Sequence, residues 1–205
     1  MSQPTRVWFV GHGFLKVPTV FTRGKILYYH PDGYFVSQYG TKLKPRFSPY
    51  QKTQGKGCYN GKRGIVHAVM GNFGNGMCHR LAAYALSQVT EPPTYTGKKG
   101  QTLKKVIHHL ISEPLNFRAD NLLFWLTGSE HRTADQRQRA LKKALPNGNL
   151  HVLTYDRLRT LQDPRITSDE VFARELEIIK NASEHFEMID PFARMEKETQ
   201  IRCEV

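Results

Sequence analysis

The sequence predicts an α+β protein. Small antiparallel hairpins lead into a strand–loop–strand–helix segment, and a helical extension closes the chain. Three observations carry this. Between residues 1 and 78, apolar and aromatic residues come in short runs punctuated by Gly, Pro, Asn and Asp. Leu81, Ala82, Tyr84, Ala85 and Leu86 then switch to helical spacing, as do Phe172, Leu176, Ile179, Phe186 and Ile189 near the end. The 205 residues, 39% hydrophobic and 23% charged, suffice for one substantial core plus an appendage.

Taken in order, Val7-Trp8-Phe9-Val10 and Lys25-Ile26-Leu27-Tyr28-Tyr29 are expected as short strands. Pro31-Asp32-Gly33 turns the chain into a strand at Tyr34-Phe35-Val36-Ser37, and Gln38-Tyr39-Gly40-Thr41 turns it again into Lys42-Leu43-Lys44. Asn60-Gly61 reads as a hairpin turn, residues 65–70 as a strand, and Gly71 to Gly76 as a loop. A helix over 79–89 is ended by Pro92-Pro93. Residues 91–100 form a Pro/Gly/Lys loop, 103–110 a strand-like segment, 111–120 a loop, and 122–126 an apolar strand. Thr127 or Ser129 caps a helix running to about Leu145, with Arg132, Arg137, Arg139, Lys142 and Lys143 on its outer face. Pro146-Asn147-Gly148-Asn149 breaks it, and Tyr155 to Leu161 is a short helix. Thr167-Ser168-Asp169-Glu170 has capping-box spacing and opens the last helix. Its apolar stripe is expected to pack on the rest of the protein or on a second copy, the latter giving a homodimer through the C-terminal helices.

Charge divides the chain. The net is +12, yet residues 1–145 carry 22 Lys and Arg against 6 Asp and Glu, and residues 146–205 carry 8 against 12. The expected organisation is a β-rich basic region at 1–78, a central core at 79–145, and an acidic helical extension at 146–205. A basic excess dispersed among Tyr, Phe and Gly suits a polyanion, so nucleic acid is the expected partner. No apolar run approaches the ~18 residues of a membrane span, and Met1 to Val10 lacks the pattern of a secretory signal. Cys58, Cys78 and Cys203 are an odd count without a CxxC pair, which argues against a disulfide framework or a Cys-ligated zinc and for a reducing, cytoplasmic setting.

The chemistry concentrates in Val106-Ile107-His108-His109, then Arg118-Ala119-Asp120-Asn121-Leu122, then Thr127-Gly128-Ser129-Glu130-His131. A strand ends in two histidines, Asn121 precedes a second strand, and His131 sits in the first turn of a basic helix. A hairpin between His109 and Asn121 folds the strand end back toward that helix, bringing His108 or His109 toward His131. Adjacent strand residues point to opposite faces, so the two histidines should serve different roles unless the strand end is irregular.

These segments resemble the HNH endonuclease family, whose pattern is roughly [D/H]-H, a loop with N-R-x-x-N-L, and T-x-S-E-[H/N]. Here it stands as His108-His109, Asn116-Phe117-Arg118-Ala119-Asp120-Asn121-Leu122 and Thr127-Gly128-Ser129-Glu130-His131. Upstream, the chain is similar to phage- and intron-type (homing) members in Gly33-Tyr34-Phe35-Val36-Ser37 with Gly40 and Leu43, and in His79-Arg80-Leu81-Ala82-Ala83-Tyr84-Ala85-Leu86. The resemblance covers about residues 31–140. It implies a ββα-metal (His-Me finger) core and a metal-dependent enzyme, intracellular and bacterial or phage-encoded, that hydrolyses DNA to leave 3′-hydroxyl and 5′-phosphate ends. By the same resemblance His109 is the general base, His108 and His131 hold one divalent metal, and Asn121 ties the loop and orients the base. Two neutral imidazoles without a carboxylate suit Zn²⁺, Ni²⁺ or Mn²⁺ better than Mg²⁺. Three departures stand out. The gap from Asn121 to His131 is ten residues where nine is commoner, which places one inserted residue in 122–126. Phe117 replaces the usual Asn or Asp, and Leu110 replaces the usual Gly after the histidine pair.

Arg80, Lys98, Lys99, Lys104, Lys105, Arg118, Arg132 and Arg137 are the candidate backbone-phosphate contacts. Arg80 and Arg118 could equally pair with Asp120 or Glu113, and His79 could contact a phosphate or simply start its helix. Two further classes of function compete with the nuclease. One is a regulatory DNA-binding protein on a catalytically decayed HNH scaffold. The other is an assembly protein whose acidic tail binds a partner.

Overall fold

The hairpin pattern of the N-terminal region becomes a four-stranded antiparallel sheet in the order β1-β2-β3-β4: Leu15–Lys16, Leu27–His30, Tyr34–Ser37 and Lys42–Leu43. The computed structural model describes residues 4–48, 67–73, 76–113 and 115–186. Asn60-Gly61 and the start of the 65–70 strand lie outside them. The turn at Pro31-Asp32-Gly33 sets the register, pairing His30 with Tyr34 and Leu27 with Ser37. Gly33 has φ +91°, and a Cβ there would lie 2.8 Å from the Arg118 amide nitrogen. Glycine thus lets this turn and the 117–118 backbone approach closely.

Two expected strands prove otherwise. Residues 7–10 lie in a helix, α1 (Arg6–Gly11), started by Thr5, whose hydroxyl accepts the Trp8 N–H. The segment 103–110 splits at Lys105 into β9 (Thr102–Lys104) and β10 (Val106–His109), which belong to different sheets. β9 pairs with β8 (Thr94–Thr96), a strand inside the expected Pro/Gly/Lys loop. A third small sheet joins β5 (Arg46–Ser48), β6 (His67–Met70) and β7 (Gly76–Met77), with Gly71–Phe73 a 3₁₀ turn rather than open loop.

α2 (Cys78–Ser87) is the hub of the first core. Cys78, Leu81, Ala82 and Ala85 are buried to 1% exposure or less, against Leu27, Tyr29, Phe35, Phe117 and Leu122. The helix ends at Gln88 in a left-handed conformation, its N–H bonded to the Tyr84 carbonyl, well before Pro92-Pro93.

β10 pairs with β11 (Leu122–Leu126), and α3 (Gly128–Ala144) follows directly. His108 faces Leu123 while Val106 faces Leu126, so two steps along β10 match three along β11. β11 therefore carries a β-bulge. Trp125 absorbs it at φ +65°.

By compactness the chain divides into Met1–His131 and Arg132–Val205. In the second unit α3 is followed by α4 (Tyr155–Gln162) and α5 (Asp169–Phe186). The cap of α5 is Ser168, whose hydroxyl accepts the Val171 N–H, while Thr167 turns its hydroxyl to the Thr160 carbonyl. Phe172 and Ile179 are buried within the chain, and the side chains of Phe186 and Ile189 lie outside the description. Arg137 is not on an outer face. It is 4% exposed and belongs to the buried stripe of Ala134, Gln138, Leu141 and Ala144. Its guanidinium donates to the Thr167 carbonyl at 2.8 Å, Asp169 at 2.7 Å and the Leu161 carbonyl at 3.3 Å, and it lies over the Phe172 ring. No described helix is long and apolar enough to cross a membrane.

Candidate metal centre

Strand alternation separates the two histidines as expected. His108 is 3% exposed, and its ring centre lies 5.4 Å from that of His131 at 80° between planes. The His109 ring lies 5.4 Å from that of His79, on the first turn of α2, at 75°. The His109 imidazole is nevertheless close enough to His108 and His131 to feel their charge. Burial, first, and those two neighbours, second, hold its pKa at about 4. His109 is thus neutral around pH 7, with one ring nitrogen able to accept a proton.

The loop joining β10 to β11 is closed by Asn121, which is fully buried. Its Oδ1 accepts the Ile111 N–H at 2.8 Å, and its Nδ2 donates to the carbonyls of Asn116 at 3.0 Å and Ile111 at 3.4 Å. Every polar atom of the carboxamide is therefore spent on backbone, consistent with a tie rather than a ligand.

His131 is positioned by the start of α3. Thr127 and Glu130 form a capping box: the Glu130 N–H donates to Thr127 Oγ1 at 3.3 Å, and the Thr127 N–H to Glu130 Oε2 at 2.6 Å. Thr127, not Ser129, is the cap. The Gly128 N–H donates to the Tyr95 hydroxyl at 3.0 Å, and a Cβ at Gly128 would lie 2.8 Å from that oxygen. Tyr95, on the strand hidden in the expected loop, thereby anchors the helix that carries His131.

α3 is unbroken at His131–Arg132, and Asp135 stands one turn beyond His131 on it. One ligand atom each from His108, His131 and Asp135 fall within 4.8 Å of one another. This carboxylate was missed from sequence, although His131-x-x-x-Asp135 is a one-face helical spacing that could have found it. Two imidazoles and one carboxylate fit a divalent transition metal, and the carboxylate improves the match to Mn²⁺ and Mg²⁺ over two imidazoles alone.

The candidate phosphate contacts scatter. Lys98, Lys99 and Lys104 are exposed on the β8–β9 hairpin, Lys105 and Arg80 are half-buried, and Arg132 is exposed. Arg118 makes a bidentate pair with Asp120, Nε at 3.0 Å and Nη2 at 2.7 Å. Arg137 is withdrawn into the second unit as described. Neither protein-family models, nor curated protein sequences, nor solved structures give a match to this chain.

Proposed function

We propose that the chain is a metal-dependent endonuclease of the HNH kind, built on a ββα-metal core and acting on DNA phosphodiester bonds. One observation carries the reading. A hairpin and the helix after it bring His108 and His131 to face each other, while His109, next on the same strand end, is held neutral. His108 and His131, with Asp135, would hold one divalent ion, Mn²⁺, Ni²⁺, Zn²⁺ or Mg²⁺. Such an ion, when bound, supplies charge stabilisation at the scissile phosphate and its leaving oxygen. His109 accepts the proton of the attacking water. Asn121 keeps the loop closed behind His109, and the basic residues of the first unit bind the DNA backbone. The ends expected are 3′-hydroxyl and 5′-phosphate, inside a cell.

The test is plasmid nicking with Mg²⁺, Mn²⁺ and Ni²⁺. His109→Ala should lower the rate by about 10²–10⁴, and equal rates in the two proteins would overturn the assignment of the base. A second reading, a regulatory DNA-binding protein on a silent HNH scaffold, draws support from the irregular pairing beside the histidines, where a left-handed Trp125 shifts the β10–β11 register between Val106 and His108. That reading requires salt-sensitive DNA binding and no metal-dependent nicking in the wild type.

A further inference from the structure

The β8–β9 ribbon, Thr94–Thr96 with Thr102–Lys104, is a two-stranded sheet of its own. Its register pairs Thr94 with Lys104, Tyr95 with Leu103 and Thr96 with Thr102. Directly opposite residues share a face, and successive residues alternate between faces. One face is thus Tyr95 and Leu103; the other is Thr94, Thr96, Thr102 and Lys104. The Tyr95 hydroxyl accepts the Gly128 N–H, which turns the first face toward the start of α3. The second face therefore points away, and all four of its residues are exposed. The ribbon is shaped in advance. The Gly97 N–H donates to the Gln101 carbonyl at 2.8 Å, the Lys99 N–H to Gln101 Oε1 at 3.0 Å, and the Lys105 N–H to the Pro93 carbonyl at 2.8 Å. Residues 94–105 carry four lysines and no Asp or Glu. Lys98 and Lys99 form the exposed tip.

A narrow cationic ribbon whose outer face is made of hydrogen-bonding side chains suits the major groove of a DNA duplex. That groove is about 12 Å wide and admits a two-stranded β-ribbon. We infer that the β8–β9 ribbon reads DNA sequence there, an inference that rests on the DNA reading above and gives it a specificity element. Thr94, Thr96 and Thr102 offer hydroxyls to base edges and methyl groups to the C5-methyl of thymine, and Lys104 donates to N7 and O6 of guanine. Lys98 and Lys99, at the tip, neutralise phosphates. An A-form RNA duplex does not match, because its major groove is too deep and narrow for side chains to read. Chain connectivity ties the reading to the candidate metal centre. β9 runs through Lys105 into β10, and Tyr95 holds Gly128, three residues before His131. Thr102 precedes His108 by six residues, a reach of at most ~22 Å. The bases read thus lie within about one helical turn, ~34 Å, of the bond cut.

The experiment selects DNA duplexes from a random pool with the full chain in EDTA, so that binding is read without cleavage. The wild type should enrich a short motif containing guanine, and fluorescence anisotropy should show it preferred over a scrambled duplex by about tenfold or more. Exchanging the motif's guanines in turn for 7-deazaguanine removes only the N7 acceptor in the major groove. At one position this should cost the wild type about fivefold and Lys104→Met nothing. Thr96→Ala/Thr102→Ala should lower the motif-over-scrambled ratio about tenfold. By contrast, Lys98→Met/Lys99→Met should weaken both duplexes alike and lower the salt slope by about two. All the substituted positions are exposed. A motif and a 7-deazaguanine response unchanged in Lys104→Met and in Thr96→Ala/Thr102→Ala overturn the ribbon as reader and leave the DNA partner standing. Binding with no enriched motif does the same, leaving the lysines as guards of the ribbon's strand edges. Failure to bind any duplex sinks the DNA partner and the ribbon together. A protein that reads its motif through the ribbon yet never nicks with added metal keeps the ribbon and loses the nuclease.

Discussion

Asn121 and Ile111 hold each other reciprocally: the Ile111 N–H donates to Asn121 Oδ1, and Asn121 Nδ2 returns a bond to the Ile111 carbonyl. With the third bond to Asn116, one buried carboxamide closes the loop that separates β10 from β11. Asn121→Ala leaves three backbone groups without this partner in a water-poor setting. The expected loss is on the order of 3 kcal/mol of stability in urea unfolding. Asn121→Asp keeps the acceptor for Ile111 but turns an oxygen toward two carbonyls, so it should not restore stability at pH 7. A variant as stable as wild type would remove Asn121 from its tying role.

Metal affinity tests the ligand set without any assay of activity. Titration calorimetry with Ni²⁺ and Mn²⁺ should show one site per chain, with Ni²⁺ the tighter, as the ordering of divalent metals requires for nitrogen-rich sites. Removing supporting partners beyond the direct ligands costs roughly 10–100-fold in metal affinity. His131→Ala, which removes a direct ligand, should therefore cost at least ~100-fold. Asp135→Asn should weaken binding too, whereas His79→Ala should not, because the His79 ring faces His109 and stands outside the ligand group. Equal affinities in wild type and His131→Ala would dissolve the centre.

The parts legible in the sequence share a physical signature, and so do the parts that were not. β2, β3 and β4 were readable because Gly33 and Gly40 sit at their turns, and α2 because its apolar residues alternate at a helical period. Val7-Trp8-Phe9-Val10 has no period at all; Thr5 decides for a helix by capping it, a signal outweighed by the β-branched and aromatic composition. β8 was hidden because Thr94-Tyr95-Thr96 owes its strand character to pairing with β9, a non-local cause. The ten-residue gap from Asn121 to His131 was visible as a count, but the β-bulge that a left-handed Trp125 makes within it needed coordinates. Arg137 was misplaced because charge alone set its face. Its partners, Thr167 and Asp169, lie thirty and more residues away, where no local pattern reaches.

Thiol chemistry offers a check on the first core. Cys78 is fully buried, and burial pushes its thiol up to about 12. The thiolate is then scarce at pH 8 and shielded as well. A disulfide reagent should label no more than two thiols quickly in the native protein, and the third only on unfolding. Mapping by mass spectrometry should put the slow site at Cys78. Rapid labelling there in the native state would mean that α2 does not pack as described.

The second unit carries an acid-sensitive clasp. Burial alone would raise the Asp163 carboxyl, which is 3% exposed; the hydrogen bonds and charge of Arg165, aided by Arg159, outweigh it and hold the carboxyl below its ordinary value. Arg165 Nη2 donates at 2.6 Å, Nε at 2.8 Å and the backbone N–H at 3.0 Å. A carboxyl more acidic when folded binds fewer protons than in the unfolded chain. Its stabilisation is therefore complete above the unfolded value of about 3.9 and is lost as pH falls through the lower folded value. Arg165→Met removes the two side-chain donors and their charge and leaves only the residue-165 backbone N–H and Arg159 to oppose burial, so the carboxyl should rise. At pH 7 the variant should lose about 1.5–3 kcal/mol, the range for hydrogen bonds to a charged group. Its stability should begin to fall at a pH above the wild-type onset, where the wild type is still flat. Urea unfolding followed by circular dichroism from pH 7 to pH 3 reads both effects, and coincident pH profiles for the two proteins would show that Arg165 does not set the charge state of Asp163.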